Sequence, residues 1–137
     1  MRKEVYEKIR EKLLEIGEND IENIDMWNRN VEFVEQEPGW ARPAVFIEFE
    51  PVKWVSIVPG IQYRAEPKVR LHIVTDWNDR DTEVFEFPKK IHQALAGLEG
   101  DSFTDFTLEE SHTNHNHEEI IESIEVYGFV AFLNIGK

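Results

Sequence analysis

Three apolar bursts between Pro43 and Asp76 dominate the pattern: residues 44–49, 52–58 and 69–74, with turn residues between them. In the first, Val45, Ile47 and Phe49 alternate with Phe46, Glu48 and Glu50, the two-residue period of a strand. Proline cannot donate to a ladder, so Pro51 predicts a bend or a move to a sheet edge. Val52, Trp54, Ser56 and Val58 then alternate with Lys53, Val55 and Ile57. Pro59-Gly60 is a turn pair, because proline presets φ and glycine supplies positive φ. Ile61, Tyr63 and Ala65 run back, which gives a hairpin apolar on both faces. After Glu66-Pro67, Val69, Leu71 and Ile73 alternate with Arg70, His72 and Val74 as a central strand, and residues 75–81 read as a polar loop.

The flanks supply the cover. Val5, Ile9, Leu13 and Ile16 form one helical stripe, Glu4 and Lys8 sit four apart in the favourable order, and Gly17 is placed as a C-terminal cap. Residues 18–29 read as a connector anchored by Ile21, Ile24 and Trp27, followed by a short strand at 31–35 and a loop at 36–43. A second helix is expected to begin near Pro88, where a missing N–H is harmless, with Ile91, Leu95 and Leu98 inward and its end at Gly97 or Gly100. Residues 103–110 read as a strand, 111–119 as a polar loop, and Ile124, Val126, Gly128, Val130 and Phe132 as a last strand. The other face of that strand carries Tyr127, Phe129, Ala131 and Leu133, so it wants cover on both sides. The sum is one α+β domain over residues 1–137: two helices on one face of a mostly antiparallel sheet with a projecting β-hairpin, in the order α-β-β-β-β-α-β-β.

Composition narrows the function classes. At 137 residues, 41% hydrophobic and 12% aromatic, the chain can form a core. It has no cysteine, which excludes disulfides and thiolate metal sites. No unbroken apolar segment opens the chain and the longest apolar run is far short of a bilayer span, so a soluble cytoplasmic protein with no membrane partner is expected. The formal charge of -13 would repel a duplex, so no sequence-specific nucleic-acid binding is expected.

Candidate chemistry is sparse. His112, His115 and His117, beside Glu118 and Glu119, have the donor types for a divalent metal, but the segment lacks residues that would fix a geometry, and no metal is assigned. His72 lies on a strand with no partner named by sequence spacing, and reads as a histidine on the less buried face of the sheet. His92 is expected to be exposed on its helix. Nucleophile and phosphate-binding motifs are absent, and no catalytic residue or cofactor is expected. Trp27, Trp40, Trp54 and Trp77 fall in or beside loops and hairpin ends, where core closure competes with interface roles. The hairpin and the last strand supply the expected interface: Trp54, Ile57, Ile61, Tyr63, Tyr127 and Phe129.

In order and pattern, the chain resembles the tail-completion and tail-terminator proteins of long-tailed phages and prophages. The likeness lies in the N-terminal helix, the extended Arg42-Pro43-Ala44-Val45-Phe46-Ile47-Glu48-Phe49, the strand Val69-Arg70-Leu71-His72-Ile73-Val74, the helix holding Ile91-His92-Gln93-Ala94-Leu95, and the closing strands. The resemblance implies a non-enzymatic subunit that forms a homo-oligomer, a hexameric ring, at the head–tail junction. Its partners would be other tail or connector proteins, and its location the host cytoplasm and then the virion tail. The segment from Trp27 to Trp40 is longer than that pattern needs, and the His-rich stretch has no counterpart in it. Two rivals stand beside this reading: a small α+β ligand-binding or adaptor module, and a metal-dependent hydrolase using His112, His115 and His117.

Overall fold

The computed structural model describes residues 1–16, 21, 23–27, 42–77, 82–117 and 119–135. The fold is α+β, and its frame is a pair of long antiparallel segments. β4 (Gln62–Ala65) and β5 (Lys68–Asp76) both pair with β7 (Ile120–Asn134). Gln62 faces Asn134, Ala65 faces Ala131, Lys68 faces Gly128 and Asp76 faces Ile120. Residues 62–76 therefore run against 120–134 in one unbroken register. At the Glu66-Pro67 junction the Phe129 N–H still donates to the Pro67 carbonyl at 3.2 Å, so proline removes a donor without breaking the pairing.

On the outer side of this pair lie β2 (Ala44–Phe49), against β5, and β3 (Trp54–Val58), against β4. Phe49 faces Val69 and Trp54 faces Ala65, five residue steps against four. The extra residue is absorbed around Pro51, where the sequence demands a break. β1 (Asn23–Met26) adds to β2 as the one parallel neighbour among the described residues, and β6 (Phe103–His117) pairs with the far side of β7. The sheet thus runs β1, β2–β3, β4–β5, β7, β6 across its width.

Both helices lie on one face. α1 (Arg2–Glu15) lays down Val5, Ile9 and Leu13, and α2 (Glu86–Leu95) lays down Ile91 and Leu95, against Val45, Ile47, Val69, Leu71, Ile73, Tyr127 and Phe129. Burying each Ile or Leu side chain contributes roughly 1.5–3 kcal/mol. On the opposite face Ala44, Phe46, Val74 and Ile120 form a smaller cluster, with Trp27 packed on it. None of the described helices is long and apolar enough to cross a membrane.

Several sequence expectations are corrected. A 3-10 turn at Thr82–Phe85 leads into α2, which starts at Glu86. Pro88 is its third residue, still within the first turn, whose N–H groups have no helical acceptor. The segment 111–119, expected as a loop, is strand as far as His117: β6 bonds along one side only, so polar side chains cost it little. The connector at 18–29 contains β1, and Thr75 and Asp76 belong to β5. Gly97, at φ 71°, ends α2 as expected. The expected cap at Gly17, the strand at 31–35 and Trp40 lie outside the described residues.

A length mismatch shapes the outside of the molecule. Fifteen strand residues extend roughly 50 Å, whereas helices of 14 and 10 residues cover about 21 and 15 Å. The helices cannot roof the whole sheet, and one end of it runs past them.

Glu4 fixes how α1 sits. Its carboxylate accepts from the Ser102 hydroxyl at 2.6 Å, the Ser102 N–H at 2.8 Å and the Asp101 N–H at 2.8 Å, tying the helix to the residues before β6. The Ser102 hydroxyl above all, with these backbone donors, holds the Glu4 carboxyl below its usual 4.5. The stabilisation is fully present above pH 4.5 and lost as pH falls through the lowered value. Glu4→Gln is expected to unfold at lower urea than wild type at pH 7, with the gap narrowing below pH 4.5. A gap independent of pH would contradict this role.

Candidate functional site

The end of the sheet that outruns the helices is the β3–β4 hairpin with the last residues of β7. Its turn follows from Pro59 and Gly60, the latter at φ 72°, and the Ile61 N–H closes it on the Val58 carbonyl at 2.9 Å. The Ile135 N–H donates to the Ile61 carbonyl at 2.7 Å, so the end of the chain's last strand is laced to the hairpin tip. Val55 is 67% exposed, Ile57 52% and Ile135 60%, and Val58, Ile61, Phe132 and Leu133 are exposed beside them. Strand pairing puts Val55 and Phe132 on one face and Tyr63 and Leu133 on the other. Exposed apolar residues scattered singly are ordinary, but a contiguous cluster marks an interaction surface.

Two of the edge strands, β6 and β3, differ in how they meet solvent. β6 carries register shifts at Thr104/Thr107, Leu108/Glu110 and Asn114/His117, a positive φ of 60° at Asp105, and the exposed acids Asp105, Glu109 and Glu110. Bulges and charges are the devices that stop an edge from pairing. β3 shows exposed Val55, Ile57 and Val58, with a single register shift. Of the two, β3 is the more apolar and more regular edge.

The expected interface residues divide accordingly. Ile57 and Ile61 are exposed, Tyr63 is half-exposed, and Trp54 is half-buried against the main core. Tyr127 and Phe129 are buried at 2% and 3% exposure, which corrects their assignment to surface. They sit mid-strand in β7, which is central, beneath α2 and stacked with Phe106. Alternation along β7 shows two apolar faces but cannot show that both are already covered.

His72 is the site that sequence reading missed. It is 3% exposed, and its Nδ1 lies 2.6 Å from Glu122 and its Nε2 2.7 Å from Glu48. Trp27 stacks on the ring at 3.7 Å with 3° between planes, and Asn114 donates to the second Glu122 oxygen at 3.0 Å. The row Glu48–His72–Glu122–Asn114 crosses four strands. Both ring nitrogens are engaged by carboxylate oxygens. This is a polar lock through a buried sheet face, with no free lone pair for base chemistry.

The remaining histidines are dispersed. On the helix face His92, expected to be exposed, is half-buried: its Nδ1 shares a hydrogen bond with the Tyr127 hydroxyl, and its Nε2 lies 3.7 Å from Glu125, which the Ser111 hydroxyl also bonds. Burial, with Glu125 nearby, pushes the Tyr127 phenol well above its usual range. His112 lies 3.1 Å from Glu110, while His115 packs edge-on against Trp77. Three steps along a strand put these two on opposite faces, and no metal-holding group of side chains occurs among the described residues.

No protein-family model matches this chain, and no curated protein matches it.

Glu122→Ala would strand His72 and Asn114 in a buried face and is expected to cost roughly 3 kcal/mol. Glu110→Ala, at an exposed pair, is expected to leave the unfolding midpoint almost unchanged. Urea denaturation compares them, and equal costs would deny the lock.

Proposed function

We propose that this chain is a structural assembly subunit, a phage or prophage tail-completion protein acting by ring formation rather than by catalysis. One observation carries the reading: the hairpin end of the sheet leaves Val55, Ile57, Val58, Ile61, Phe132, Leu133 and Ile135 exposed beyond the helices. A subunit whose own core is complete and whose surplus apolar surface is gathered at one end gains by burying it against another copy. The order of elements across the chain supports the tail-completion assignment, and a ring at the head–tail junction would meet connector and tail-tube proteins on its two sides. Assembly would take place in the host cytoplasm, and the product would reside in the virion tail. The hydrolase alternative needs His112, His115 and His117 to converge, and the contacts of the first two point them to different neighbours.

Sedimentation velocity over a concentration series tests the reading. Wild type is expected to shift from monomer to a closed oligomer as concentration rises. Ile57→Asp, which places a charge in the exposed patch at little cost to the core, is expected to remain monomeric with an unchanged melting temperature. Equal association by both proteins would remove the hairpin from the interface.

A further inference from the structure

β1 is shorter than the strand it pairs with. It ends at Met26, opposite Ile47, while β2 continues through Glu48 and Phe49. Among the described residues the last backbone bond across this margin runs from the Trp27 N–H to the Ile47 carbonyl, at 2.9 Å. On the inner side of β2 the Glu50 N–H donates to the Lys68 carbonyl at 3.1 Å, so even-numbered residues bond to β5 and odd-numbered ones face the margin. The N–H and carbonyl of Phe49 therefore point outward where β1 has stopped.

A groove of about 810 Å³ lies at this step, between the margin and α1. Met26, Trp27 and Phe49 form its apolar wall; Met26 is 45% exposed, and Trp27 is held in place by its stack on His72. Facing them, α1 presents Arg2, Tyr6 and Arg10 at successive four-residue steps. The bonds of Glu4 to Ser102 and Asp101 hold the helix there. Both acids that line the groove are engaged, Glu48 by His72 at 2.7 Å and Glu7 by Lys3 at 3.9 Å. Among the described residues Arg2 and Arg10 have no ion pair. A chain of formal charge -13 thus carries two uncompensated guanidinium groups beside an apolar wall.

The spacing of these groups selects the ligand. Along a helix axis Arg2 and Arg10 are about 12 Å apart, with Tyr6 about 6 Å from each. An extended peptide places residues i, i+2 and i+4 on one side, the latter two at about 7 and 13 Å from the first. A carboxylate, an apolar side chain and a second carboxylate at those positions fall opposite Arg2, Tyr6 and Arg10. The exposed β6 acids of another copy do not suit the site, because Glu109 is paired with Lys68 and Glu110 with His112.

We infer that the groove binds an extended segment of a partner protein with the pattern acid–x–apolar–x–acid. Its acids pair with Arg2 and Arg10, its apolar side chain lies between Tyr6 and Trp27, and its backbone bonds to the N–H and carbonyl of Phe49. Backbone bonds at a sheet margin supply affinity, and the spacing of alternate side chains supplies specificity. None of these residues belongs to the hairpin patch, so the site does not rest on the assembly reading.

Fluorescence anisotropy with a dye-labelled peptide, Gly-Ser-Glu-Thr-Phe-Thr-Glu-Ser, tests it at about 150 mM salt, where charges beyond about 8 Å are screened. Saturable binding to the full chain is expected, unchanged by Ile57→Asp. Arg2→Glu with Arg10→Glu is expected to weaken binding roughly 10-fold or more, and a peptide with lysines in place of both acids should prefer that variant to wild type. Replacing the peptide's Phe by Ser is expected to cost roughly 10-fold, and acids set three residues apart should bind more weakly than acids set four apart. Absence of saturable binding, or binding indifferent to the arginine reversals, would overturn the site. So would binding that follows charge alone and ignores the Phe and the spacing. If the peptide does not bind but the arginine reversals abolish self-association, the groove belongs to a second copy: this inference falls and the assembly reading stands. If the peptide binds as expected to a chain that is monomeric at every concentration, the site stands and the assembly reading falls.

Discussion

Strand length against helix length is the constraint from which the rest follows. Residues 62–65 and 68–76 stay in one register against β7 over thirteen pairs, and the two helices together roof only part of that span. Where helices cover the sheet, the core fills completely, with Val5, Ile9, Leu13, Ile91 and Leu95 at zero exposure. Where they stop, the same apolar alternation continues into the hairpin and the end of β7 and meets solvent. The exposed patch is thus a continuation of the core pattern beyond its cover.

The opposite face solves its own problem differently. It has a small apolar cluster under Trp27 and, beside it, the Glu48–His72–Glu122–Asn114 row. Buried polar groups that are fully partnered specify register, because a one-residue slip would leave each of them alone. The row joins β2, β5, β7 and β6, the strands that must stay aligned for the long pairing to persist.

Much of this was legible in the sequence where local rules apply. Pro59-Gly60 named its turn, the Val5–Ile9–Leu13 stripe named its helix, and Val45, Ile47, Leu71 and Ile73 named the core face. What was hidden depends on partners distant in the chain. His72 is 24 residues from Glu48 and 50 from Glu122, so no spacing joins them. Residues 111–117 looked like loop because an edge strand needs no apolar face of its own. Tyr127 and Phe129 looked like surplus because alternation does not reveal that β7 is central.

Hydrogen exchange at the hairpin as a function of protein concentration most directly tests whether the uncovered end is an assembly surface. Amides of residues 54–65 should become more slowly exchanging as concentration rises, while the roofed strands stay constant. Exchange in that segment that is the same in dilute and concentrated protein, under conditions where the chain associates, would contradict it.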